Sequence, residues 1–223
     1  MHVLKTSFHQ NSNVGLYAYT NDKFCLLSSM VPGKLEKDIK EALKVDLIRT
    51  NLCGTVLNGI FAAGNNKGLL LPHIVLDSEL ETLRNHKIKF EIITTDHTAL
   101  NNNIVVNDQA ALVSPDLEEH MDAIKKFLKL KKIEIFHLNK MPTVGALIVL
   151  GKKGCLVSKF ASDKEMDFVA DYFKMPVTRG SVNLGSPYIS SGLVVNKHGF
   201  IVGERTGGPE TVHIDEALGF LSK

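Results

Sequence analysis

Between residues 101 and 117 the chain reads NNNIVVNDQAALVSPDL. Apolar Ile104–Val106 and Ala110–Val113 flank the polar turn Asn107-Asp108-Gln109, and that alternation predicts a β-hairpin. Ser114-Pro115-Asp116 then predicts a helix start. A serine hydroxyl can accept from an orphan backbone N–H, proline loses nothing at the first helical position, and aspartate favours the positive helix end. The same plan recurs five times, with equivalent turn residues Asn21, Asn65, Asn107, Gly151 and Asn196 at steps of 44, 42, 44 and 45 residues. A fixed period of this size marks a repeat architecture.

Taken in order, the pattern predicts a first strand at Val3–Ser7 and a hairpin from Val14–Tyr19 and Phe24–Leu27. A helix follows, with Leu35, Ile39, Ala42 and Leu43 on one stripe, and then an extended exit at Val45–Ile48. The second unit has strands Ile60–Ala63 and Leu69–Leu71, a capping box from Ser78 and Glu81, and an alternating exit strand through Ile88, Phe90 and Ile92. The third carries the longest helix, with Leu117, Met121, Ile124, Phe127 and Leu128 on one face, and exits through Ile133 and Ile135. The fourth has Ala146–Leu150, Cys155–Val157, a capping box from Ser162 and Glu165, a stripe of Met166, Val169 and Phe173, and an exit at Val177. The fifth has Leu193–Val195, Phe200–Val202 and a helix carrying Ile214, Leu218 and Leu221.

Five hairpins and five helices thus meet only four exit strands. The place of the fifth falls after Lys223, and the unpaired strand Val3–Ser7 has the length and character to fill it. In a circular arrangement the two ends are neighbours, and such closure leaves no exposed sheet edge. The expectation is one domain over residues 1–223: a five-bladed α/β propeller with pseudo-fivefold symmetry, closed by its N-terminal strand.

This architecture resembles the pentein fold. Motif by motif the chain is similar to the translation initiation factor 6 family, the ribosome anti-association factors. The resemblance covers essentially the whole chain. It rests on Asn13-Val14-Gly15, the stretch from Gly64 to Pro72, Asn107-Asp108 with Ala111 to Leu117, Gly180 to Ser186, and Gly192 to Asn196. It lacks the further C-terminal tail of eukaryotic members, so the chain looks archaeal.

Composition bounds the chemistry. At 44 % hydrophobic and 22 % charged residues the chain reads as an ordinary globular protein. A formal net charge of +2 argues against a protein held on nucleic acid mainly by phosphate neutralisation. No apolar run approaches the ~20 residues of a membrane span, and no signal peptide is evident, so a cytoplasmic location is expected. Cys25, Cys53 and Cys155 show no CxxC spacing and read as small buried hydrophobes in a reducing compartment. Penteins also include guanidine-modifying hydrolases and amidinotransferases. Those use a late Cys nucleophile, whereas here the last cysteine is Cys155 and no thiol follows it. Asp96-His97 is the strongest remaining acid–base candidate, but adjacent residues in a loop more often face apart, and His198 and His213 are no better placed. Histidine and cysteine spacings point to no metal. Gly203-Glu204-Arg205-Thr206-Gly207-Gly208 lacks the order of a phosphate-binding loop. No cofactor is expected.

The cluster Lys125, Lys126, Lys129, Lys131 and Lys132 could touch ribosomal RNA. The simpler reading is dipole complementation, because Asp116, Glu118, Glu119 and Asp122 open the same helix. The most informative surface is the set of connections between units: residues 8–13, 51–58, 96–103, 139–143 and 183–191. Repeat symmetry places all five at one end of the disc. They are rich in Asn and Ser, which donate and accept hydrogen bonds without charge. Turn chemistry explains single residues, but Asn101-Asn102-Asn103 in a row exceeds what a turn needs. The expected docking residues are Asn11, Asn13, Asn58, Asn101, Asn102, Asn103, Asn183 and Ser186. The resemblance implies a non-catalytic monomer that binds the large ribosomal subunit, a ribosomal protein first and ribosomal RNA second. There it would block premature joining of the small subunit, with a role in large-subunit maturation. The alternatives are a pentein hydrolase of a guanidino compound and a structural ring with no ribosomal partner.

Overall fold

The computed structural model describes residues 1–221. Strand β1 (Val3–Thr6) opens the chain. The remaining fourteen strands fall into repeated triplets: β2 (Ala18–Thr20), β3 (Phe24–Leu27) and β4 (Asp46–Arg49); β5 (Ala63–Asn65), β6 (Gly68–Pro72) and β7 (Phe90–Ile93); β8 (Ile104–Val106), β9 (Ala110–Val113) and β10 (Lys132–Ile135); β11 (Ile148–Leu150), β12 (Cys155–Ser158) and β13 (Val177–Gly180); and finally β14 (Leu193–Asn196) with β15 (Gly199–Gly203). In each triplet the first two strands are an antiparallel hairpin and the third returns parallel to the second. The fifth pair has no third strand of its own. β1 takes that place, parallel to β15 with Val3 opposite Phe200 and Thr6 opposite Gly203. The pairing expected for the N-terminal strand is therefore present, and the result is five three-stranded sheets.

The middle strand of every sheet is buried on both faces. β6, β9, β12 and β15 are buried throughout, as are Cys25, Leu26 and Leu27 of β3. A strand covered on both sides must be a near-continuous apolar run, which is why the second strand of each hairpin reads so plainly in the sequence. Helices Glu36–Leu43, Asp77–Asn85, Met121–Phe127, Asp163–Phe173 and Gly208–Ala217 cover the sheets. Five apolar clusters result, each drawing on two neighbouring sheets. Ile39 and Leu43 pack with Leu27 of the first sheet and Ile201 of the fifth. Leu80 and Leu83 join Leu26 to Leu69, and Leu117 and Ile124 join Leu70 to Val113. Val169 and Phe173 join Leu112 to Val157, and Ile214 and Leu218 join Leu156 to Phe200.

Hydrogen bonds at the hairpin turns tie consecutive units. The side-chain Nδ2 of Asn196 donates to Asn21 O (3.2 Å), that of Asn21 to Asn65 O (3.1 Å), and that of Asn65 to Asn107 O (3.1 Å). Each of these asparagines also folds its own turn, its Oδ1 accepting from the amide two residues on. The fourth unit breaks the series, because Gly151 lies against Leu218 where a Cβ would come within 2.6 Å.

Several sequence expectations need correction. Val14–Tyr19, Ile60–Ala63 and Ala146–Leu150 are not strands throughout. Each begins with one helical turn (Val14–Leu16, Asn58–Phe61, Val144–Leu147) before the short strand. The longest helix lies in the fourth unit, with eleven residues at Asp163–Phe173. In the third unit Ser114 caps Asp116, Leu117 departs from helical geometry (φ −114°), and a 3-10 turn precedes the α-helix at Met121. The second-unit box runs from Glu79, not Ser78 and Glu81, whereas Ser162 and Glu165 form theirs as read. The last helix stops at Ala217, with Gly219 at φ +77°, so Leu221 lies outside it.

Candidate functional site

Inner-strand residues of all five units, among them Thr20, Gly64, Val105, Val149 and Val194, line a small cavity of about 140 Å³. At the hairpin end a cavity of about 340 Å³ is rimmed by turn residues of all five units, among them Asp22, Asn66, Asp108, Lys152 and Lys197. At the opposite end a cavity of about 430 Å³ is lined by Asn13, Gly59, Asn102, Thr143 and Ser186, one from each unit. The connections between units therefore meet at one end, as the repeat requires.

What brings them so close is a ring of small residues. A Cβ on Gly15 would stand 1.9 Å from Ser190 O, one on Gly59 1.8 Å from Gly15 O, and one on Gly145 1.9 Å from Asn101 O. In the third unit Asn101 takes the equivalent place and donates its Nδ2 to Gly59 O at 2.7 Å. At the three glycines backbone meets backbone, and that leaves no room for a side chain.

The turns at the ends of the exit strands are equally repetitive. Phe8 pairs with Asn11, Leu52 with Thr55, Leu138 with Met141 and Val182 with Ser186. Between them lie left-handed residues such as His9, Cys53, Asn139 and Asn183. A carboxylate from the next helix accepts the strained amides. Glu79 takes Cys53 N–H and Gly54 N–H, Glu165 takes Asn139 N–H, and Glu210 takes Leu184 N–H and Gly185 N–H. The same three groups cap their own helices through Leu76, Ser162 and Gly207. Burial alone would raise Glu165 and Glu210, but these hydrogen bonds outweigh it and hold both below the usual carboxylate value.

The expected docking residues divide by how their side chains are used. Asn58 is fully buried and donates to Thr50 O, and Asn103 is buried and donates to Ala99 O, so these two shape the connections rather than face outward. Asn11 donates to the Tyr17 hydroxyl. Asn183 donates to Ser12 O and to Asn13 Oδ1, joining the fourth exit to the N-terminal segment. Asn101 serves the ring. Among the described residues, the Asn102 amide and the Ser186 hydroxyl make no internal side-chain hydrogen bond, and both line the cavity. Sequence reasoning passed over Tyr188, half exposed on the same rim. Its signal was a lone aromatic in the Ser-rich run SPYISSG.

The acid–base candidates do not assemble. His97 faces Asp116 at 3.6 Å rather than Asp96, His213 Nε2 donates to Arg179 O, and His198 sits in its Asx turn. Burial pushes the Cys25 and Cys53 thiols up to about 12 and raises Cys155 as well, the opposite of an activated nucleophile. Among the described residues, no group of three or more His, Cys, Asp or Glu could hold a metal ion, and no helix is long and apolar enough to cross a membrane.

The cavity rim is uncharged: amides, hydroxyls and one tyrosine ring stand beside Leu16, Ala146 and the close-packed glycines, on a five-sheet frame. Comparison with solved structures finds the same frame in DDAH from Pseudomonas aeruginosa, a cysteine-to-serine mutant complexed with citrulline. Its TM-score is 0.51 at 10 % identity, over 76 % of this chain and 69 % of that one. The likeness shows a pentein-like fold alone. Curated relatives named translation initiation factor 6 are far nearer in sequence. That of Saccharolobus islandicus is 35 % identical over 98 % of this chain and all of its own length, and that of Methanocaldococcus jannaschii 32 % over 98 % and 99 %. The eIF-6 family model matches residues 3–217, and the chain therefore belongs to the eIF-6 family of translation factors.

Proposed function

We propose that this chain is a non-catalytic factor that docks on the large ribosomal subunit through its connection end. Bound there, it covers the surface that meets the small subunit and prevents premature joining. A further part in large-subunit maturation follows the same reading. The observation that carries it is the convergence of all five connections around one neutral rim, where Asn102, Ser186 and Tyr188 are open. Tyrosine is a favoured anchor at interfaces, and uncharged amides suit a protein surface better than a phosphate backbone. A ribosomal protein is accordingly the first partner, with RNA contacts second. The five clusters, each shared by two sheets, support a closed five-bladed propeller, and a rigid disc loses little entropy on docking. The raised thiols speak against a hydrolase.

The test is sedimentation of the protein with purified ribosomal subunits of its own organism. Co-migration with the large subunit, together with fewer joined particles when both subunits are present, is expected. Absence from the large-subunit peak would refute the reading.

A further inference from the structure

A further concavity lies apart from the connection rim described above. It is a groove of about 1230 Å³, lined by the first three units. Its floor includes Phe24 and Phe127, both partly exposed. Its walls carry Lys23, Lys37, Lys87, Lys89, Lys126 and Lys129, all exposed, and none of them forms an ion pair among the described residues. Two further lysines are engaged: Lys40 with Asp46 at 3.3 Å, and Lys67 with the carbonyls of Asp108 and Lys129. The two acidic residues of the lining are also spoken for, since Glu36 pairs with Arg49 at 2.6 Å.

A protein of net charge +2 has thus gathered six unpaired lysines in one groove. Such a concentration is repulsive in the free protein and draws polyanions. The charges come from three separate units, and the volume far exceeds one phosphate, so a small anion would leave most of them unmatched. Lysines are mobile point charges, suited to following a phosphate backbone without reading sequence. The partly exposed rings of Phe24 and Phe127 between them offer stacking for an unpaired base. We infer that this groove binds single-stranded RNA through its phosphates, with Phe24 and Phe127 as stacking surfaces. RNA is chosen over DNA because the chain is a translation factor. The sequence cluster Lys125–Lys132 is only partly involved: Lys126 and Lys129 line the groove, whereas Lys132 lies 3.7 Å above the Tyr172 ring in the next unit.

The inference does not rest on the docking reading, and its test needs no ribosome. Binding of a fluorescein-labelled oligouridylate of about twenty nucleotides is followed by anisotropy across a salt series. The triple variant K37A/K87A/K126A is compared with K5A/K153A/K164A, which removes three exposed lysines elsewhere, and melting curves confirm that both are folded. The groove variant is expected to bind at least about tenfold more weakly, with a log–log salt slope reduced by about 2, while the other keeps wild-type binding. Equal weakening of both variants, or no binding by the wild type at low salt, would overturn the inference. So would displacement of the RNA by polyglutamate as effective as by unlabelled RNA of equal charge.

Discussion

Gly59 shows how one residue governs the connection end. A methyl group there would meet the Gly15 carbonyl at 1.8 Å; the Cβ is fixed to the backbone and the carbonyl is main chain, so neither can swing aside. Gly59→Ala is expected to lower stability by about 2–4 kcal/mol in urea unfolding, whereas Gly207→Ala, with nothing within 4 Å, should be nearly neutral. Glu210 acts through charge. Its carboxylate accepts from three backbone amides and the Ser181 hydroxyl, and its folded pKa is held below the ordinary 4.5. A depressed acid contributes its stability above the unfolded pKa and loses it as pH falls through the folded one. Glu210→Gln should therefore lower stability by about 1 kcal/mol at pH 7, a figure reduced for solvent screening. The gap from wild type should close as melting is measured at steadily lower pH below 4.5. None of these roles was visible in sequence. A glycine packed on a carbonyl looks like any loop glycine, and Ser78-x-x-Glu81 imitates the box that Glu79 forms because Cys53 and Gly54 also need an acceptor.

Elements were legible where a local rule dominated. Four turn asparagines, Gly151 in the fourth unit and the doubly buried second strands announced all five hairpins, and the helical stripes announced the covering helices. The single turns at Asn58–Phe61 and Val144–Leu147 were not legible, since four residues are too few to show a period. They lie where backbones from neighbouring units approach closely, Gly59 on Gly15 and Gly145 on Asn101, which is a tertiary demand. Another repeated device lies at the helix exits. Lys44, Lys87, Lys129 and Lys174 all take φ between +52° and +56°, and Gly219 takes the same role in the fifth unit. A left-handed lysine costs about 1 kcal/mol relative to glycine, set against its attraction to the helix C-terminus. Lys44→Gly is expected to raise stability slightly, by about 0.5 kcal/mol, as read from the urea midpoint.

Across the whole molecule, both ends of the chain meet in the fifth unit. β1 pairs with β15, His2 Nε2 donates to Asp215 at 2.9 Å and stacks on Phe220, and Asn183 reaches Ser12. Removing residues 1–7 should thus lower the melting temperature of the entire protein in one cooperative transition, whereas trimming a free tail would leave it unchanged. The sequence revealed this closure by counting strands. It could not reveal which asparagines face outward, because that depends on which amides are consumed by backbone carbonyls across units. The most direct measurement compares two substitutions in the third unit, one at each of the two cavities: Asn102→Arg on the connection rim and Gln109→Arg at the exposed hairpin turn. Sedimented with large subunits, the Asn102 variant should lose association by at least about tenfold while the Gln109 variant binds as wild type. Loss confined to the Gln109 variant, or undiminished binding by the Asn102 variant, would contradict docking through the connection end.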